Sequence, residues 1–279
     1  EACYGVPMAG AVLVALNYRL SAPEIAYILG HCKARALIVD QEFLPTVQTA
    51  LGELRGVRHF IVVAAERGAA PAWRPPGALD YEAWLRAAPA EDPRLLPADE
   101  NDTISINYTS GTTGNPKGVM YTHRSAYLNA VCNLLEMGMS ADSVYLWTLP
   151  MFHCNGWCYT WGVTALGATH VCMRAVGPAE IVAQIAEHRV THFCGAPIVL
   201  RMVAEGAQQA GLRRFAHALR VSTAAAPPSP TVIEKLLGLN VDVLHVYGLT
   251  EPYGPTTVCE VQPAWRALPT PERARLMAR

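Results

Sequence analysis

The chain has no long apolar run, no excess of one charge and no paired cysteine spacing, and each absence removes a class of function. Nowhere in the 279 residues does an uninterrupted hydrophobic stretch approach the roughly 18 residues of a membrane-crossing helix, so no membrane span is expected. The 22 basic and 23 acidic side chains leave a formal charge of −1. That balance gives no electrostatic reason to expect nucleic acid or an anionic membrane as partner. The opening segment, EACYGVPMAG, has neither a basic n-region nor an initiating methionine, and does not read as a secretion signal. Eight cysteines (Cys3, Cys32, Cys132, Cys154, Cys158, Cys172, Cys194 and Cys259) are scattered through apolar segments. Reduced, buried thiols in a cytoplasmic protein are the expectation, rather than a disulfide framework.

What is present is 51% hydrophobic and 16% charged, enough to bury a sizeable core in one large domain or two smaller ones. Short β-rich runs alternate with helical patterns. Val12–Tyr18, Ala36–Asp40, His59–Val63, Thr103–Tyr108, Val144–Leu149, Thr169–Met173, His192–Cys194, Leu219–Thr223 and Val241–Tyr247 read as strands. Ser21 begins a helix, with Pro23 and Glu24 in its first turn. Further helices are expected over about Tyr81–Ala87, His123–Glu136, Ala179–His188, Ile198–Ala210 and Thr231–Leu237. The alternation predicts an α/β fold of parallel sheets flanked by helices. Residues 1–65 form a βαβ-type segment, 66–102 a connection and 103–279 the main core.

The most informative stretch is Thr109–Gly118, TSGTTGNPKG, read as a loop between a strand and a helix. Gly111 and Gly114 let a backbone approach a ligand closely and expose its N–H groups. Thr109, Ser110, Thr112 and Thr113 add hydroxyl donors, and Lys117 offers a point charge for phosphates. A Walker A loop needs Gly-Lys followed by Ser or Thr, whereas Pro116 precedes and Gly118 follows this lysine. The alternative is a solvated turn, since these are all turn residues. So many hydroxyls and glycines beside one lysine exceed what a turn requires.

TSGTTGNPKG resembles the signature loop of the adenylate-forming acyl-CoA synthetase superfamily, the AMP-binding enzymes. Tyr247-Gly248-Leu249-Thr250-Glu251 resembles the family's YGLTE element. Leu149-Pro150-Met151-Phe152-His153 resembles its aromatic-histidine element, and Ala224-Ala225-Ala226-Pro227 the turn that lies against adenine. All four occur in the family's order. Within the superfamily, Tyr145–Cys158, Thr191–Pro197 and Tyr247–Cys259 are most similar to plant acyl-activating enzymes, including benzoate- and short-chain acyl-CoA ligases, and to bacterial methylmercaptopropionate-CoA ligases.

The resemblance implies ATP/AMP, Mg²⁺ and coenzyme A as cofactors, a small-molecule carboxylic acid as substrate, and a homodimer if the chain self-associates. It implies that Lys117, Thr250, Glu251 and His153 take part in catalysis, with Thr109 and Glu251 sharing Mg²⁺. Thr109–Gly114 and Lys117 would hold the phosphates, and Tyr247, Gly248, Ala225, Ala226 and Pro227 the adenine. His153, Trp157 and Gly195 would meet the acid, in a pocket that also includes Phe193 and Cys194. Each role has a plainer alternative: Glu251 as a surface acid, Tyr247 as a half-buried strand end, His153 and Trp157 as core residues. A zinc site at His153, Cys154 and Cys158 is disfavoured for want of a fourth ligand. Amino-acid-activating relatives carry aspartate where His153 stands, which disfavours an amino-acid substrate. The implied reaction joins acid to AMP with loss of pyrophosphate, then transfers the acyl group to coenzyme A. A truncated nucleotide-binding module and a ligase with another acceptor are the alternatives. Relatives continue past the position of Arg279 with a ribose-binding aspartate, a hinge and a small lysine-bearing domain, so the large N-terminal domain without the small C-terminal one is expected. Ser222-Thr223 stands where many relatives have glycines.

Overall fold

The computed structural model describes residues 1–64, 71–90, 96–109 and 114–278. Among these the strands are β1 (Leu13–Val14), β2 (Ala36–Asp40), β3 (His59–Val63), β4 (Leu79–Asp80), β5 (Thr103–Thr109) and β6 (Lys117–Thr122). They continue as β7 (Val144–Trp147), β8 (Thr169–Cys172), β9 (His192–Gly195), β10 (Leu219–Thr223), β11 (Val241–Leu249) and β12 (Gly254–Cys259). They form three sheets, ordered β1-β5-β6, β12-β11-β10-β9-β7-β8 and β2-β3-β4. All pairings are parallel except β5 with β6 and β11 with β12.

The apolar runs of the large sheet have their explanation in burial on both faces. Leu146, Phe193 and Val221 point to one side and pack with Ile181, Ile185, Leu200 and Val203 from two covering helices, Pro178–His188 and Pro197–Gln209. Tyr145, Trp147, Cys194 and Leu244 point to the other and meet Met137, Tyr159 and Val163. Two helices start at reciprocal caps, where short polar side chains bind free amides. Ser21 and Glu24 form a reciprocal cap on Ala22–His31, and Thr122 with Ser125 does the same for His123–Met137, which ends at Gly138 with φ of 61°.

Several expectations change. The first strand shrinks to two residues and pairs with β5. Lys117–Thr122 is a strand, so the phosphate-loop candidate joins two antiparallel strands and not a strand to a helix. The thiols are all unpaired, but Cys132 and Cys172 are exposed, and only Cys154, Cys158 and Cys194 are buried. Among the described residues no helix is long and apolar enough to cross a membrane.

Gly206 lets the two covering helices touch: a Cβ there would overlap the carbonyl of Pro178 and meet Val182 Cγ2 at 2.9 Å. Gly206→Ala should therefore destabilise the fold by about 1–3 kcal/mol, although alanine favours an isolated helix by about 1 kcal/mol. Urea denaturation checks this, and an unchanged or raised midpoint would contradict the close contact.

Candidate active site

β5 and β6 set Thr109 and Lys117 directly opposite each other across the ladder, where paired side chains share a face. Both border a cleft of about 1210 Å³. Thr250 and Glu251 follow the end of β11 and line the same cleft, as do Gly248 and Leu249. Gly114, His153, Trp157 and Ala225 complete the predicted residues found there. Ser110, Gly111, Thr112 and Thr113 lie outside the described residues. Ala226 and Pro227 are exposed just beyond the lining, and Tyr247 is 61% exposed and also outside it. Phe193, Cys194 and Gly195 are buried in a central strand, and the position of a Gly195 Cβ is blocked by Val199 at 2.8 Å. The next residues, Ala196, Ile198 and Val199, face the cleft in their place.

What brings hairpin and turn together is a buried polar hub that motif reading does not single out. Tyr121 on β6 stacks on Tyr253 with ring centroids 3.6 Å apart and planes 7° from parallel. Its hydroxyl donates to the Thr250 carbonyl at 2.6 Å. The Tyr253 hydroxyl donates to Asn155 Oδ1 at 3.2 Å and accepts from Trp161 Nε1 at 3.2 Å. Ser105 on β5 donates to the same Asn155 oxygen at 2.6 Å, and Asn129 Nδ2 donates to the Tyr253 carbonyl at 2.6 Å. Gly248 permits the tight return to β12, because a Cβ there would overlap the Gly254 carbonyl.

A second anchor holds the aromatic-histidine element. Asn107 Nδ2 on β5 donates to the Phe152 carbonyl at 2.9 Å. Beyond His153 the backbone makes a left-handed turn, with φ of 46°, 48°, 63°, 51° and 64° at Cys154, Asn155, Gly156, Trp157 and Cys158. Left-handed geometry costs about 1–2 kcal/mol per ordinary residue. Thr160, whose hydroxyl donates to the Asn155 carbonyl at 2.9 Å, and Asn133, which donates to the Trp157 carbonyl at 2.9 Å, hold it in place. The only signal for these anchors in the sequence is polarity where burial is expected, as at Asn107 within ISINY.

His153 is open to the cleft, not a satisfied core residue. Enough protein still surrounds the ring for desolvation to lower its pKa below the ordinary histidine value, and the nearby Arg19 charge acts in the same direction. Cys154 and Cys158 are buried, and burial pushes both thiols up, away from thiolate chemistry. Thr109 and Glu251 both line the cleft, and a hydroxyl with a carboxylate is a donor set suited to a hard cation that keeps other ligands from water or phosphate.

An acetate/butyrate–CoA ligase of Arabidopsis thaliana is 42% identical over all of this chain and 51% of its own length. A benzoate–CoA ligase of the same plant is 40% identical over all of this chain and 49% of its own. Both are named as peroxisomal, which fits poorly with the cytoplasmic expectation. The chain thus spans about half the length of the curated relatives it matches. Among solved structures, the inhibitor-bound N-terminal domain of FACL13 from Mycobacterium tuberculosis superposes with a TM-score of 0.80 at 27% identity, over 92% of this chain and 61% of that one. The family described as AMP-binding enzyme matches residues 1–275, and the chain belongs to that family.

Proposed function

We propose that the chain supplies the ATP- and acid-binding half of an acyl-CoA synthetase. The reaction turns a carboxylic acid, ATP and coenzyme A into acyl-CoA, AMP and pyrophosphate through an acyl-adenylate. The observation that carries this reading is the convergence of Thr109, Lys117, His153, Thr250 and Glu251 on one cleft. A carboxylate oxygen attacks the α-phosphorus of ATP and the bond to pyrophosphate breaks. The chain's part is positioning and charge neutralisation. Lys117 holds the β- and γ-phosphates, and the loop amides and hydroxyls cradle them. Thr250 donates to the α-phosphate from a turn that the Tyr121 hydroxyl fixes. Mg²⁺, held by Thr109 and Glu251, would neutralise phosphate charge. His153, neutral at pH 7, offers an N–H to charge developing at the leaving side. Trp157, Met173, Val199 and Met202 give the cleft apolar walls, which suit a short- to medium-chain or aromatic acid. The activities named for the plant relatives point the same way.

Three outcomes test this reading. Lys117→Ala should lower carboxylate-dependent exchange of pyrophosphate into ATP by on the order of tenfold to a hundredfold; an unchanged rate would refute the role of the loop. Tyr121→Phe should raise the KM for ATP by about fivefold to tenfold, the equivalent of one hydrogen bond. If KM stays constant, the Thr250 turn needs no tether. In NMR titration the His153 ring should have its midpoint below 6.5, because desolvation and Arg19 both oppose the cation. A midpoint at or above 6.5 would contradict the desolvation of the ring and the influence of Arg19.

A further inference from the structure

Arg19, which belongs to none of the four motifs, borders the same cleft as Lys117 and His153. Its backbone N–H is held by Asn17 Oδ1 at 3.0 Å. Its guanidinium donates to the Tyr18 hydroxyl at 3.0 Å and lies 5.1 Å from that ring's centroid. Tyr18 in turn packs edge-on against Phe152, with centroids 5.5 Å apart, and tilted against Phe43 at 5.8 Å. Arg19 is therefore fixed against the aromatic-histidine element, close enough for its charge to be felt at His153.

The contrast with Arg174 is informative. That residue also lines the cleft, but Asp40 at 3.1 Å and Glu42 at 3.0 Å neutralise it. Among the described residues no carboxylate pairs with Arg19. A guanidinium has five N–H donors in a planar fork, and Tyr18 is the side-chain partner it has here. An unpaired fork at a ligand cleft calls for an anion from the ligand.

We propose that Arg19 is a further polyphosphate-binding residue, gripping the β- and γ-phosphates that leave as pyrophosphate. The inference rests on reading the cleft as a nucleotide site. The acid is the poorer partner, because a guanidinium on the carboxylate would occupy the lone pairs that must attack phosphorus. A neutral His153 brings no charge to this side of the cleft, and Arg19 does.

The test is calorimetric binding of pyrophosphate, ATP and AMP to the protein and to its Arg19→Gln and Arg19→Lys variants. Arg19→Gln should weaken pyrophosphate and ATP by about tenfold and AMP by less than about twofold. Arg19→Lys should fall between, since it keeps the charge and loses the fork. Equal affinities in wild type and Arg19→Gln would overturn the proposal while leaving the nucleotide site standing. Equal loss for AMP, or a loss confined to the carboxylic acid, would overturn it too. A wild-type protein that binds neither ATP nor pyrophosphate would refute the nucleotide site, and this inference with it.

Discussion

The hydrogen bond from the Tyr121 hydroxyl to the Thr250 carbonyl, with the Tyr121–Tyr253 stack beside it, is the contact on which the site depends. Thr109 and Lys117 belong to the small sheet, whereas Thr250 and Glu251 follow a strand of the large one. Nothing in either sheet alone fixes the distance between these groups. The stacked tyrosines close that gap, and Asn107 and Asn155 extend the connection to the segment bearing His153 and Trp157.

This arrangement carries a cost at the site. Asn107 Oδ1 and Asn155 Nδ2 are buried with no hydrogen-bond partner, and an unmade buried bond costs about 1–3 kcal/mol. The same region holds the run of left-handed residues from Cys154 to Cys158. Strain and unsatisfied polarity persist where the surrounding packing over-determines them. Here the Trp147 ring fills the space that a Cβ on Gly156 would need. The two cleft arginines play different parts as well. Arg174 joins the small N-terminal sheet to the large one through Asp40 and Glu42, and Arg19 keeps its fork for a ligand.

Much of the fold was legible because buried parallel strands are continuous apolar runs. Ala36–Asp40, His59–Val63 and Leu219–Thr223 fall where the sequence places them. The strand Lys117–Thr122 was not, since KGVMYT is half exposed and its ladder partner lies across the glycine-rich loop. For the site, the motifs carried Lys117, Thr250, Glu251 and His153 to one cleft. The pocket reading of Phe193, Cys194 and Gly195 did not carry over, because a central strand buries both its faces and the lining passes to the residues after it. Tyr121, Tyr253, Asn155 and Arg19 carry no local signature. Their roles arise from contacts between segments more than 90 residues apart or, for Arg19, from the lack of a paired carboxylate among the described residues.

The central claim is that the carboxylate attacks the α-phosphorus within this cleft. The most direct measurement supplies the full-length enzyme that carries this half with acid labelled by ¹⁸O in both carboxylate oxygens, together with ATP and coenzyme A, and follows the label by mass spectrometry. The account predicts one ¹⁸O in each AMP released and one retained in the acyl thioester. AMP without label, or ADP in its place, would contradict it.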